Sequence, residues 1–105
     1  MFEIIIINED DDMKLNVLQK GSRGNQVRWL QEILEEEYGY ENPGGADGIF
    51  GTLTDTQVKE YQTDTGITVD GIVGKQTMFS LIFCSGDHFN VDYWKTKLQI
   101  YMAYE

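Results

Sequence analysis

The residues best suited to nucleophilic or metal chemistry are Cys84 and His88, the one cysteine and the one histidine of the chain. They lie four positions apart and could share a helix face, although Gly86 separates them. Two ligands do not make a typical zinc site. A chain with one histidine can also form few of the known catalytic-triad arrangements. We therefore interpret Cys84 as a buried thiol beside an incidental histidine. We predict no catalytic residue, no metal and no cofactor.

An acidic run near the amino terminus suggests a calcium site only at first sight. Asn8, Asp10 and Asp12 alternate oxygen ligands as the start of an EF-hand loop does. Met13 stands where that loop needs glycine, and Gln19 where it needs a bidentate glutamate. A solvated charge run is the better interpretation.

A second acidic group, Glu32 and residues 35–37, falls on the polar side of a predicted helix. Paired catalytic carboxylates need a pocket and a raised pKa, and the sequence indicates neither. We interpret these glutamates as a solvated face.

The composition excludes several classes of function. The 105 residues suit one domain, and 41% are hydrophobic, which is enough for a compact core. The net charge of −10 opposes binding to nucleic acid and to anionic membranes. No apolar run approaches the roughly 20 residues of a spanning helix. The run Ile4–Ile7 is too short for a secretory signal, so we expect a chain that is cytoplasmic when made.

Apolar periodicity predicts three helices in the middle of the chain. In the first, apolar residues recur at spacings of three and four: Val27, Leu30, Leu34 and Tyr38. We expect Ser22 to cap this helix and Gly39 to end it. A second helix is predicted from about Thr52 to Thr65, and a third over about 75–83.

A short internal repeat joins these helices. Residues 47–54 and 70–77 both follow the pattern Asp-Gly-Ile, an apolar residue, Gly, two variable residues and Thr. The Asp-Gly pair makes a tight turn, and the threonine lies in the first turn of the next helix. Gln31 and Gln62 each follow a core residue and are predicted to brace a loop. Because helix amino termini attract anions, these loops could also hold a ligand's carboxylate or carbonyl.

The ordered set of motifs resembles the peptidoglycan-binding domain type 1 family, from about residue 15 to residue 83. The matching positions are Leu18, Gly21, Gly24, Val27, Leu30, Gln31, Leu34, Gly39, Tyr40, 47–51, Thr54, Val58, Tyr61, Gln62, 69–74, Thr77 and Leu81. The family's usual proline after the first loop is replaced by Thr52.

The resemblance implies a mainly α, compact three-helix bundle with two Asp-Gly loops, which binds bacterial cell-wall peptidoglycan without catalysis. The ligand is its glycan or its stem peptide, and the partner is a fused or associated wall hydrolase, as in phage endolysins. Such a domain works at the cell wall, as part of an exported or lysis-released protein. The candidate ligand-binding residues are Gln31, Asp47, Gly48, Phe50, Gln62, Asp70 and Gly71.

Two flanks extend this domain, which we place at residues 14–84. Residues 1–13 form an extension with a short strand expected at 2–8, whereas 85–105 form an aromatic tail expected to pack on the domain. Spacing favours a fourth helix at 91–102 but leaves a strand open.

The flanks also suggest an alternative function. Trp29 and Ile33 lie off the apolar stripe of the first helix and invite a cover. With Trp94 and Tyr101 of the tail they form a candidate partner surface. The alternative function is therefore a protein–protein interaction or assembly module that keeps the fold.

Overall fold

The computed structural model describes residues 16–83 and 88–103. Its helices, in chain order, are α1 (Asn25–Glu36), α2 (Thr52–Thr65), α3 (Lys75–Phe83) and α4 (His88–Ala103). In the described ranges, extended pairing is limited to two isolated bridges. The predicted mainly α class is confirmed. The strand expected at 2–8, the acidic run at 8–12 and Cys84 lie outside the described residues.

The predicted helices form, but both ends of the first one differ from the prediction. α1 ends at Glu36, before the expected Tyr38, and Gly39 follows with a φ of +77° and its N–H bonded to the Glu35 carbonyl at 3.1 Å. α2 and α3 begin and end where the pattern places them, and the tail is helical over 91–102, as its spacing favours. The prediction that Ser22 caps the first helix is wrong, because α1 begins at Asn25, directly after Gly24. The Ser22 hydroxyl oxygen instead accepts a hydrogen bond from the backbone N–H of Gln19, in the preceding turn, at 3.0 Å. The Gly24 N–H is used outside the helix, since it donates to the carbonyl of Gly48 at 2.9 Å.

The core lies between α1 and the other three helices. α1 contributes the largest share of its apolar side chains because both its predicted stripe and its off-stripe residues are buried. The buried apolar residues are Leu18, Val27, Trp29, Leu30, Ile33, Leu34, Phe50, Val58, Tyr61, Val73, Met78, Leu81, Ile82, Trp94 and Leu98. Hydrophobic burial of this extent is the main favourable term in holding a small helical domain together.

α4 covers the second apolar side of α1. The rings of Trp29 and Trp94 meet edge to face, with centroids 6.3 Å apart. The Trp29 indole N–H donates to the backbone carbonyl of Trp94 at 2.9 Å. Trp29, Ile33 and Trp94 are all fully buried. The prediction that these three residues form a partner surface is therefore wrong: they are the contact between α1 and α4.

The prediction that the acidic side of α1 is solvated is wrong for Glu32. Its carboxylate pairs with the Lys97 ammonium at 2.8 Å and accepts hydrogen bonds from the Tyr101 hydroxyl at 2.8 and 3.0 Å. Burial acts to lower the pKa of Lys97, but the hydrogen bonds to Glu32 and Tyr93 outweigh it and raise that pKa well above its ordinary value. Tyr101, the fourth predicted partner-surface residue, is thus half-buried and engaged within the fold. Glu35 and Glu36 are exposed, as predicted.

Across residues 16–83 and 88–103, no helix combines the length and the apolarity needed to cross a membrane.

Candidate functional site

The first Asp-Gly loop, residues 46–51, is held by its own aspartate and by a glutamine from α1. The Asp47 carboxylate accepts the N–H of Ile49 at 2.9 Å, closing a tight turn in which Gly48 has a φ of +76°. The Gln31 side-chain nitrogen donates to this carboxylate at 3.0 Å, to the Ile49 carbonyl at 2.9 Å and to the Thr54 hydroxyl at 3.0 Å. The Gln31 side-chain oxygen accepts the Gly48 N–H at 2.9 Å.

The second loop, residues 69–74, repeats this network with a glutamine from α2. The Asp70 carboxylate accepts the N–H of Ile72 at 2.9 Å. The Gln62 side-chain nitrogen donates to Asp70 at 3.1 Å, to the Ile72 carbonyl at 3.0 Å and to the Thr77 hydroxyl at 3.1 Å. Its side-chain oxygen accepts the N–H of Gly71 at 2.9 Å and that of Asp70 at 3.0 Å.

Each network therefore ties three consecutive pieces of chain together. A glutamine on one helix binds the loop that follows it and the threonine in the first turn of the next helix. α2 takes part in both units, since it carries Thr54 of the first and Gln62 of the second. Both glutamines are almost fully buried, so their amide groups brace the loops, as the sequence predicts.

The segment 17–24 lies between the two loops and pairs with both. Leu18 and Val73 exchange backbone hydrogen bonds of 3.1 and 2.7 Å. Further along, Phe50 binds the segment through its carbonyl and its N–H, each at 2.9 Å. We call the surface formed by residues 17–24, 46–51 and 69–74 the loop face.

The structure divides the seven predicted ligand-binding residues into two groups. Five are buried and act as scaffold: Gln31, Gly48, Phe50, Gln62 and Gly71. The other two, Asp47 and Asp70, are exposed on the loop face. The backbone N–H of Ile49 and the Gln31 amide hold the pKa of Asp47 below its ordinary value. Asp47 is therefore a stable carboxylate that accepts hydrogen bonds.

Three exposed lysine and arginine side chains lie at or beside the loop face. Lys20 and Arg23 belong to the segment between the loops, and Lys75 directly follows the second loop. Among the other described cations, Lys95 and Lys97 are buried or half-buried on α4. The loop face itself carries two cations and the two carboxylates of Asp47 and Asp70, and Lys75 adds a positive charge at its edge, so this region lacks the strong negative charge of the whole chain.

Two further cations lie against the loops at equivalent places. A Cβ atom on Gly48 would lie 4.0 Å from the Cβ of Arg28 in α1. A Cβ atom on Gly71 would lie 2.8 Å from the Cε of Lys59 in α2. Lys59 pairs with Asp55 at 3.1 Å and remains half-exposed.

Sequence reasoning did not single out these five cations, because the net charge sums the whole chain and hides a local excess. A signal was present in the repeat. When the helices are aligned on Gln31 and Gln62, Arg28 and Lys59 occupy the same position, three residues earlier in each helix.

Comparison with known proteins places this arrangement in a family. A family model described as a peptidoglycan binding domain matches residues 23–81. The crystal structure of the SleB N-terminal domain superposes with a TM-score of 0.63 at 32% identity, covering 68% of this chain and 94% of that one. The chain belongs to the peptidoglycan-binding domain family, and the predicted resemblance is confirmed.

Curated relatives contain this region as part of longer proteins. The N-acetylmuramoyl-L-alanine amidase CwlL of Bacillus licheniformis is 38% identical over 63 residues, which are 56% of this chain and 18% of the amidase. The spore cortex-lytic enzyme of Bacillus cereus is 35% identical over 66 residues, which are 63% of this chain and 25% of that enzyme. The family match ends at residue 81, before α4 begins.

Proposed function

We propose that this chain binds bacterial cell-wall peptidoglycan through the loop face and does not cleave it. The observation that carries the proposal is the pair of braced Asp-Gly loops, joined by the segment 17–24. Their hydrogen-bond networks fix the backbone before any ligand arrives, and such preorganisation reduces the entropic cost of binding. The exposed carboxylates of Asp47 and Asp70 are the candidate ligand contacts from the loops themselves.

The chemistry of the loop face supports binding rather than catalysis. A general acid in wall hydrolysis needs a carboxyl group with a raised pKa, whereas the pKa of Asp47 is lowered. The carboxylate oxygens that bind Gln31 and Gln62 are also committed to the turns. The second oxygen of each carboxylate, Oδ2, takes part in none of these bonds and is suited to accept a hydrogen bond from a ligand.

The relatives suggest the setting in which such binding is useful. CwlL and the spore cortex-lytic enzyme are named for wall-lytic activities, and this chain spans a quarter of their length or less. We propose that the chain directs a wall hydrolase, fused or associated, to its polymeric substrate. Its place of action is then the cell wall, reached by export or by release on lysis, as for an endolysin.

Co-sedimentation with insoluble peptidoglycan, stripped of teichoic acids, tests the proposal. The variant Lys20→Gln/Arg23→Gln removes two exposed cations from the loop face. The matched control Thr96→Glu/Gln99→Glu lowers the net charge by the same amount on the exposed part of α4. We expect the parent chain and the control to pellet and the loop-face variant to pellet less. A parent chain that stays in the supernatant at low and physiological salt contradicts the proposal.

A further inference from the structure

We propose that the loop face recognises the carboxylate-bearing peptide stems of peptidoglycan rather than its glycan strands. The inference rests on the proposed function and assigns the moiety that is bound. It is carried by three properties of the same face: the exposed cations of the segment 17–24, the carboxylates already bonded within the loops, and the exposed aliphatic side chains.

The cations of the segment are available to a ligand. Lys20 and Arg23 are exposed, and neither forms an ion pair with another described residue. An arginine guanidinium binds a carboxylate through two parallel hydrogen bonds, and a lysine adds a point charge. α1, α2 and α3 all begin next to this face, so their amino-terminal dipoles add to the positive potential.

The acidic side chains of the face do not cancel this potential fully. Asp47 and Asp70 each accept a backbone N–H and a glutamine amide. Asp55 is paired with Lys59. These partners already compensate part of the negative charge. Lys20 and Arg23 form no ion pair with another described residue, although the charge of Arg23 adds to the lowering of the Asp47 pKa.

The apolar side chains of the face suit a peptide better than a sugar. Val17, Ile49 and Val69 are 57%, 41% and 51% exposed, and their small aliphatic surfaces match the methyl groups of alanine-rich stems. Sugar rings favour flat aromatic platforms. Among the described residues the largely exposed aromatic side chains are Phe83 and Tyr93, which lie on α3 and α4 outside the loop face.

Competition and ligand stripping test this inference separately from wall binding. The chain is bound to whole peptidoglycan and challenged with a soluble stem tetrapeptide, with the same peptide amidated at its carboxyl groups, and with a chitin oligosaccharide. A parallel pull-down uses glycan strands freed of peptides by an amidase. We expect the free peptide to compete about tenfold better than the amidated one, as loss of a charge-assisted hydrogen bond implies. We also expect the stripped strands to retain no chain.

The variant Lys20→Gln/Arg23→Gln supplies a readout that a purely structural role would not change. Its preference for the free over the amidated peptide should fall toward unity, while its unfolding midpoint stays that of the parent. If the chain pellets with whole peptidoglycan but binds stripped strands equally well, or if both peptides compete equally, the stem-peptide inference is overturned and wall binding stands. If it does not pellet with whole peptidoglycan, the proposed function itself has failed.

Discussion

Gln31 of α1 and Gln62 of α2 make the same hydrogen bonds to equivalent groups in two successive loops. Each side-chain amide binds an aspartate, a loop carbonyl and a threonine of the next helix, at 2.9–3.1 Å. Each side-chain oxygen accepts the N–H of the glycine that follows the aspartate. The fold is therefore built from two overlapping copies of one helix–loop–helix unit.

Replacing either glutamine with an isosteric apolar residue should destabilise the protein. We expect Gln31→Met and Gln62→Met each to lower the free energy of unfolding by about 2–4 kcal/mol, because several buried polar groups lose their partners. Urea denaturation followed by circular dichroism measures this. The exposed Gln99→Met serves as the control, with a change within about 0.5 kcal/mol. Equal effects at buried and exposed positions would contradict the bracing role.

The first loop should not tolerate a side chain at Gly48. Its φ is +76°, and an added Cβ would lie 3.1 Å from the backbone oxygen of Gly24. We expect Gly48→Ala to cost about 2 kcal/mol, since the left-handed conformation and the backbone contact both oppose it. Gly51→Ala is the matched control, because its φ is −103° and a Cβ there meets nothing within 4 Å. Thermal unfolding that ranks these two variants equally would refute this account of the turn.

The contact between α1 and α4 should show energetic coupling between Glu32 and Lys97. Their charged groups are 2.8 Å apart, with side chains 17% and 23% exposed. A double-mutant cycle with Glu32→Gln and Lys97→Met should give a coupling of about 1–2 kcal/mol, intermediate between exposed and buried pairs. Additive effects of the two substitutions would mean that the pair does not hold α4 in place.

Ionised Asp47 should stabilise the folded protein, and this contribution to the free energy of unfolding should be lost at low pH. Its pKa in the folded protein is below the ordinary 3.8 because the Ile49 N–H and the Gln31 amide stabilise its ionised form. The resulting stabilisation is complete above the unfolded pKa and is lost as the pH falls through the lower folded pKa. In Asp47→Asn this contribution is absent. The stability difference between parent and variant should therefore shrink as the pH falls below 3.8. A difference that stays constant from pH 6 to pH 2 would disprove it.

The parts of the fold predicted correctly depend on local signals. α2 and α3 follow from apolar periodicity and Asp-Gly turns, and the glutamine braces follow from their positions in the repeat. The wrong predictions concern residues whose role is set by distant partners. Gly24, not Ser22, precedes α1, and its N–H binds the carbonyl of Gly48 in a loop that is distant in sequence. Likewise, Trp29 packs against α4, and its indole N–H binds a backbone carbonyl of that helix, 65 residues away in sequence.

The sequence predicted where the candidate site lies, but not which of its residues are exposed. The repeat located the two loops, yet most of the conspicuous loop residues, such as Phe50 and Gln62, are buried scaffold. The exposed cations were hidden by a net charge of −10. Lys20 and Arg23 become neighbours of the loops only through the backbone pairing of the segment 17–24.

Mapping amide chemical shifts by NMR on titration with a soluble disaccharide-peptide fragment of peptidoglycan tests the central claim most directly. This ligand carries both sugar and peptide, so the result does not depend on which of them is recognised. We predict saturable shifts concentrated in residues 17–24, 46–51 and 69–74. An absence of shifts at saturating ligand would contradict binding through the loop face. So would shifts confined to the shallow groove on α4 lined by Asp92, Tyr93, Thr96, Lys97 and Ile100.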